Sequence, residues 1–277
     1  MARSVHELRS DDPRPRMSAT VGPLATAAEP LPLREALAWA SAAGFAAVQL
    51  SATDPAMRPR DQSDSARRDL RATLARLELC CSGIDLFIPP GHFTDPALVG
   101  RAVEAVLATL RFAADLGLAP IVVPFPAATA SDVRGALAAE ASKLGVAILV
   151  PIGSALPETA ADKQSEYPLE RPFFPCIDCA AVLAEGARPE DVVSRLASGS
   201  SGILGGVRVV DLLRSGMRGP ILEPHESRLD VMALKVSLEI ARHSGRFSGV
   251  PIFDARQWAN PREGLERSLA RWISAGI

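Results

Sequence analysis

Lysine is nearly absent from this chain, and its scarcity excludes one type of enzyme chemistry. Of the 30 basic residues, only Lys143, Lys163 and Lys235 are lysines. Lys143 and Lys235 lie in segments with helical periodicity, and Lys163 lies in a predicted loop. An aldolase that forms a Schiff base needs a lysine on a strand that faces the site. The sequence therefore excludes that mechanism.

Cysteine and histidine are also scarce, which argues against a zinc-dependent function. The four cysteines occur as Cys80-Cys81 and Cys176-x-x-Cys179, and the predicted strands place the two pairs at opposite ends of the fold. A zinc site needs its ligands to converge. We interpret the cysteines as reduced, structural thiols of a cytoplasmic protein. A zinc-dependent abasic-site nuclease would need many histidine and acidic ligands, but the chain has only 4 histidines.

Long apolar runs and clusters of basic residues are missing as well. No apolar segment approaches the roughly 20 residues of a membrane-spanning helix, and the net charge is −2 without a basic stripe. The sequence thus predicts neither a membrane nor a nucleic-acid partner. Residues 1–16 are polar and rich in arginine, without the apolar centre of a secretory signal. We predict a disordered arm at residues 1–16 and a single domain over residues 17–277.

Apolar, strand-like runs alternate with segments of helical periodicity along this domain. Eight such units fit a closed parallel (β/α)8 barrel, the TIM barrel fold, whose usual length is about 250 residues. A doubly wound open sheet is the alternative, but the first strand lacks a glycine-rich phosphate turn. The predicted strands are Met17–Leu24, Ala46–Ser51, Cys80–Phe87, Pro120–Phe125, Val146–Pro151, Phe173–Asp178, Leu204–Val210 and Val250–Asp254.

Two of the predicted strands end with an acid, Asp178 and Asp254. The carboxyl ends of parallel barrel strands form the rim of the active site, so both acids are candidates for chemistry. Strand parity points Arg208, on the seventh strand, into the same space. Because a buried charge must be paired, we predict that its guanidinium lies within salt-bridge reach of Asp178 or Asp254. Asp178 could instead cap the following helix, and Asp254 could pair with Arg256.

Several segments resemble the xylose-isomerase-like TIM barrel superfamily, which includes sugar phosphate isomerases and epimerases. The resemblance covers most of the chain, from about Met17 to Trp272, and depends on the order and spacing of its segments. It implies a barrel that acts on a small polyhydroxy carbonyl compound. The segments are LREALAWASAAGFAAVQLSA, LRFAADLGLAPIVV, PCIDCAAVLAEGARPEDVVSRL, VRVVDLLRSG and FSGVPIFDAR.

The resemblance also implies a divalent metal held by four residues on strands five to eight. Of these positions, Asp178 keeps its acid, and Asp254 has Asp in place of Glu. Pro151 stands where a Glu is expected and Arg208 where a His is expected, and neither side chain binds metals. We therefore expect no cofactor, with Asp178 and Asp254 as vestigial metal positions. A bound Mn, Mg or Zn ion is the alternative, with other residues completing its shell.

Four further residues are candidates for substrate binding. Gln49 is polar at an inward strand position, which suits either substrate binding or a buried hydrogen bond. His92 and His225 lie on predicted rim loops, where functional residues concentrate. Asp211 lies just past the seventh strand, where it could instead pair with an arginine such as Arg218.

Two functions are consistent with these residues. The first is a sugar isomerase or epimerase in which Asp178 and Asp254 move a proton and Arg208 supplies positive charge. The second is a barrel without catalysis that binds a small ligand or serves as a scaffold, which the residues at the metal positions favour. Both predict a small, sugar-like partner, and a homodimer is left open. No glycine-rich phosphate turn follows the eighth strand, so a phosphorylated substrate is not supported.

Overall fold

The computed structural model describes residues 14–126, 128–153, 171–198 and 203–276 of the chain. Residues 1–13, most of the predicted arm, lie outside the described residues, as does Lys163 with its predicted loop, within residues 154–170. Arg14 lies against the barrel, where its guanidinium donates to the carbonyl oxygens of Phe45 and Glu78. None of the described helices has the length and apolar character needed to cross a membrane.

Eight parallel strands close into a barrel, because the first strand pairs with both the second and the last. This closure confirms the predicted TIM barrel and excludes the open sheet. A short antiparallel hairpin, β8 and β9, interrupts the barrel sequence before its last strand. The strands are β1 (Ser18–Thr20), β2 (Ala47–Ser51), β3 (Cys80–Asp85), β4 (Ile121–Val122), β5 (Ile148–Ile152), β6 (Phe173–Asp178), β7 (Gly206–Val209), β8 (Asp211–Leu212), β9 (Arg218–Gly219) and β10 (Ile252–Phe253).

Within the described residues, helices follow the barrel strands other than β5, and their ends follow local sequence. The side chain of Ser63 caps the third helix and that of Asp230 caps the eighth. Glycines with a positive φ follow several helical runs: Gly44, Gly117, Gly145, Gly186 and Gly245. The helices are α1 (Gly22–Ala25), α2 (Leu33–Ala42), α3 (Asp64–Arg76), α4 (Val99–Asp115), α5 (Ser131–Leu144), α6 (Cys179–Ala184), α7 (Pro189–Ser198), α8 (Val231–His243) and α9 (Pro261–Ser274).

The core is aliphatic and follows the barrel wall. Strand residues Val48, Ile84, Ile121, Ile177 and Val207 are all fully buried, as expected for parallel strands that are covered on both faces. Burial of apolar surface stabilises the fold by roughly 25 cal/mol per Å². The wall therefore holds the carboxyl ends of the strands in fixed relative positions.

Several strands are shorter than the sequence predicts, and two of these differences bear on the site. β1 ends at Thr20 and not at Leu24, because Gly22–Ala25 forms helix α1 with a proline in its first turn. β10 ends at Phe253, so Asp254 lies just past the strand. The hairpin β8–β9 is not predicted, because its strands have only 2 residues each and cannot show an alternation of apolar and polar residues.

Candidate functional site

Three aspartates and an arginine converge at the carboxyl ends of the barrel strands. Asp85 ends β3, Asp178 ends β6 and Asp254 follows β10. Arg208, in β7, pairs in register with Asp178. All four residues are buried, and Asp254 is completely buried. The structure thus brings Asp178, Asp254 and Arg208 together, as predicted, and adds Asp85.

Arg208 crosses the barrel mouth between two of these acids. Its Nη2 donates to Oδ1 of Asp85, and its Nη1 lies 3.6 Å from Oδ2 of Asp254. The predicted salt-bridge contact is therefore confirmed for Asp254. Only 4% of the Arg208 side chain is exposed. The ion pairs that Arg208 forms therefore lie in a buried environment, where a charge without a partner costs free energy.

Two further arginines approach the same carboxylates from loops. Arg218, in β9, donates to both oxygens of Asp178, at 2.9 Å each, and to Oδ2 of Asp254 at 3.2 Å. Arg256 donates to both oxygens of Asp254, at 2.7 and 2.5 Å, and to Oδ2 of Asp85 at 3.0 Å. We call these residues the arginine–aspartate cluster, which consists of Asp85, Asp178, Arg208, Arg218, Asp254 and Arg256.

The alternative contacts that the sequence suggests for Asp178 and Asp254 are present as well. Oδ1 of Asp178 accepts the backbone N–H of Ala181 at 3.2 Å and caps α6. Asp254 does pair with Arg256. Sequence reasoning misses Asp85 because the predicted strand extends past it, although the rule that selects an acid at the end of a strand applies to it as well. It misses the site role of Arg218 because that residue arrives on an unpredicted hairpin.

Burial and neighbouring positive charges act in opposite directions on the pKa of the Asp254 carboxyl. Burial raises the pKa of the Asp254 carboxyl from 3.8 to about 7, and the guanidiniums of Arg208 and Arg218 oppose the rise. Burial acts to lower the pKa of Arg208, but Asp85 and Asp254 outweigh it and hold that pKa above its ordinary value. Arg208 therefore carries a fixed positive charge, whereas Asp254 is poised between its two protonation states at neutral pH.

A cavity of about 900 Å³ opens beside the cluster. Its wall contains both apolar and polar side chains, with the charged groups of Asp85, Asp178, Arg218 and Arg256 among them. The remaining wall is rich in hydroxyl groups, which come from Thr20, Thr26, Ser51 and Thr53. Such a lining suits a ligand that both donates and accepts hydrogen bonds.

Gln49 is the one predicted binding residue that lines this cavity. It lies in β2, opposite Gly83 of β3, and only 1% of its surface is exposed. Among the described residues, neither Oε1 nor Nε2 of its amide has a hydrogen-bond partner. A Cβ at Gly83 would lie 3.6 Å from Nε2, so the glycine leaves space beside the amide.

The two predicted histidines and Asp211 do not line the described cavity. His92 lies in the 3-10 turn Pro90–Phe93, and the side chain of His225 is on an exposed loop. The backbone carbonyl of His225 accepts a hydrogen bond from Arg214 at 2.8 Å. Substrate binding by either histidine stays a prediction without support from this geometry.

Asp211 is fully buried and holds a loop in place. Its Oδ1 accepts the backbone N–H groups of Leu212, Arg228 and Leu229 at 2.8, 3.1 and 3.1 Å. Its Oδ2 accepts the hydroxyl of Ser227 at 2.6 Å. The carboxylate therefore ties β8 to the segment that precedes α8, and these contacts account for its burial.

Comparisons with known proteins show which sequence profile and which solved structures this chain resembles. The sequence profile described as xylose isomerase-like TIM barrel matches residues 37–150, which run from α2 into β5. The profile covers less than half of the chain, and the closed parallel barrel shows that the whole domain has the TIM barrel fold. No protein of curated function matches the chain in sequence.

Solved structures share this fold over nearly the whole chain at low sequence identity. A D-psicose 3-epimerase, determined in the presence of D-fructose, has a TM-score of 0.65 and 14% identity, covering 94% of this chain and 99% of its own. An L-ribulose 3-epimerase has a TM-score of 0.64 and 18% identity, with coverage of 94% and 95%. A sugar phosphate isomerase/epimerase from Parabacteroides distasonis has a TM-score of 0.62 and 12% identity, with coverage of 99% and 98%. These likenesses establish the fold.

The described residues at the rim of the barrel do not form a donor set that fits a divalent metal. Pro151, in β5, and Arg208, in β7, provide no metal-binding atom. Both oxygens of Asp178 are engaged by Arg218. Over the described ranges, no three His, Cys, Asp or Glu side chains are grouped so that they could hold a metal ion. The degenerate metal site stays a prediction, which direct metal analysis can test.

Proposed function

We propose that the cavity at the carboxyl end of the barrel binds a small polyhydroxy carbonyl compound. The observation that carries this proposal is the amide of Gln49, which is buried beside the cavity without a hydrogen-bond partner among the described residues. Leaving such a group unsatisfied costs roughly 1–3 kcal/mol. A ligand hydroxyl or carbonyl oxygen that pairs with this amide recovers that energy on binding.

The rest of the wall and the structural relatives support the same ligand class. Hydroxyl side chains, carboxylates and guanidiniums surround the cavity, and each can pair with a sugar hydroxyl. The solved relatives named above are a D-psicose 3-epimerase and an L-ribulose 3-epimerase. A neutral ligand also matches the cluster, in which three carboxylates face three guanidiniums.

Proton transfer on the bound compound, as in an isomerase or epimerase, is the second candidate function. Asp85 and Asp178 line the cavity from β3 and β6, two strands that β4 and β5 separate. Carboxylates on different sides of a ligand are suited to remove and return a proton. Each of them accepts a guanidinium, however, Asp178 from Arg218 and Asp85 from Arg256. Proton transfer by Asp85 or Asp178 therefore requires the ligand to displace an arginine.

Calorimetric titration with a panel of ketoses and aldoses tests the binding proposal. We expect the Gln49→Met variant, which keeps the side-chain length but loses the amide, to bind the best ligand roughly tenfold or more weakly. The variant should be at least as stable as the parent, because the unpaired amide is gone. If no compound binds the parent protein, or if Gln49→Met binds equally well, the proposal is wrong.

Incubation of the bound sugar in D2O separates binding from catalysis. Exchange of the hydrogen beside the carbonyl, followed by proton NMR, reports proton abstraction. Exchange that Asp254→Asn or Asp178→Asn abolishes supports an isomerase or epimerase. Tight binding without exchange indicates a protein that binds the sugar but does not catalyse proton transfer.

A further inference from the structure

In the arginine–aspartate cluster, every carboxylate oxygen accepts a hydrogen bond from a guanidinium. Arg218 takes both oxygens of Asp178. Arg256 takes both oxygens of Asp254, and Arg218 adds a second contact to Oδ2 of that residue. A metal ion would have to displace these charge-assisted hydrogen bonds, which are among the stronger ones in proteins.

Both oxygens of Asp85 also accept hydrogen bonds from guanidiniums. Its Oδ1 accepts from Arg208 and its Oδ2 accepts from Arg256 at 3.0 Å. Arg208 and Arg256 thus each bridge Asp85 and Asp254. The bridges link residues far apart in sequence into one network that spans the mouth.

The charges of the network already balance. Three guanidiniums face three carboxylates, and the acids hold the pKa of Arg208 above its ordinary value despite burial. Arginine therefore does not lose its proton to admit a cation. A divalent ion at this place would meet positive groups without an excess of negative charge to offset them.

We infer that Arg208, Arg218 and Arg256 form a resident cationic centre that takes the place of a divalent metal in this barrel. A guanidinium provides fixed N–H donors and no open coordination position. The centre therefore contacts carbonyl, hydroxyl or carboxylate oxygens of a ligand by hydrogen bonds. Arg256 and Arg218 are suited to do so, because 31% and 22% of their side chains are exposed and both line the cavity.

Titration with Mn²⁺ alone tests this inference without reference to any sugar. The parent protein, stripped with chelator and then dialysed, is expected to bind no stoichiometric Mn²⁺ in calorimetry. Arg218→Ala removes the guanidinium from both oxygens of Asp178. Arg256→Ala uncovers Oδ2 of Asp85 and Oδ1 of Asp254. We expect each variant to bind Mn²⁺ roughly tenfold or more tightly than the parent and to gain thermal stability on its addition.

Arg71→Ala is the matched control, because Arg71 is exposed on α3; it should behave like the parent. One Mn²⁺ bound per parent chain and lost in Asp178→Ala overturns the inference. Folded arginine variants, verified by circular dichroism, that gain no affinity for Mn²⁺ overturn it too. If the arginine variants do not fold, the titration of the parent protein with Mn²⁺ decides whether the inference holds. Failure of sugar binding leaves these outcomes unchanged, so the proposed function and the cationic centre are tested separately.

Discussion

Asp254 is the acceptor on which the arginine–aspartate cluster converges. Three guanidiniums reach its Oδ2, from Arg256 at 2.5 Å, Arg218 at 3.2 Å and Arg208 at 3.6 Å. The carboxylate itself is completely buried. Each of these arginines is therefore a partner of a carboxylate that has no access to water. Removal of one arginine costs more unfolding free energy than the loss of a surface ion pair.

Replacement of Arg208 by Met is expected to destabilise the protein by about 3–5 kcal/mol at pH 7, because Asp85 and Asp254 lose a buried partner. The loss should be smaller at pH 5, where the freed aspartates protonate. Urea unfolding at the two pH values measures both. Arg34→Met is the matched control, since the ion pair between Arg34 and Asp69 is exposed and is worth about 0–1 kcal/mol. Equal losses for Arg208→Met at both pH values would contradict the expectation.

At the scale of elements, the hairpin β8–β9 carries Arg218 to Asp178 and Asp254. Asp211 begins this hairpin and accepts hydrogen bonds from the loop that precedes α8. The carboxylate of Asp211 thus acts on the site only through the position of the hairpin.

Asp211→Ala is expected to lower the free energy of unfolding by about 2–3 kcal/mol or more, because buried backbone N–H groups lose a charged acceptor. Chemical denaturation measures this loss. Asp230→Ala, which removes only the exposed cap of α8, should cost about 1 kcal/mol. If Asp211→Ala costs no more than this control but abolishes ligand binding, Asp211 contacts substrate as the sequence interpretation proposed.

The sequence predicts elements well where local signals define both ends. The bounds of β6 coincide with those of the predicted strand, Phe173–Asp178. Prediction is weaker where contacts between distant segments decide the structure, as in the hairpin that carries Arg218. The same holds for the site. Strand parity identifies Asp178 and Arg208, but their partners depend on loop geometry that no periodicity encodes.

On the scale of the whole molecule, folding assembles the cluster from strands and loops between Asp85 and Arg256. Unfolding returns the carboxyl group of Asp254 to water and to its ordinary pKa, so the stability of the protein depends on pH. The pKa of Asp254 in the folded protein is raised by burial from 3.8 to about 7. Between these values the folded state holds a proton that the unfolded state has lost. The contribution of Asp254 to stability is therefore fully present below its unfolded pKa and disappears as the pH rises through 7.

Asp254→Asn removes this ionisation and isolates its effect. Relative to the variant, the parent protein should lose up to about 1.4 kcal/mol of unfolding free energy per pH unit as the pH rises from about 4 to 7. Other acidic groups titrate in both proteins, so the difference between their two curves reports Asp254 alone. Urea unfolding at half-unit steps of pH from 4 to 8 measures the curves. Curves that run parallel would show that Asp254 keeps an ordinary pKa in the folded protein, with its three arginines outweighing its burial.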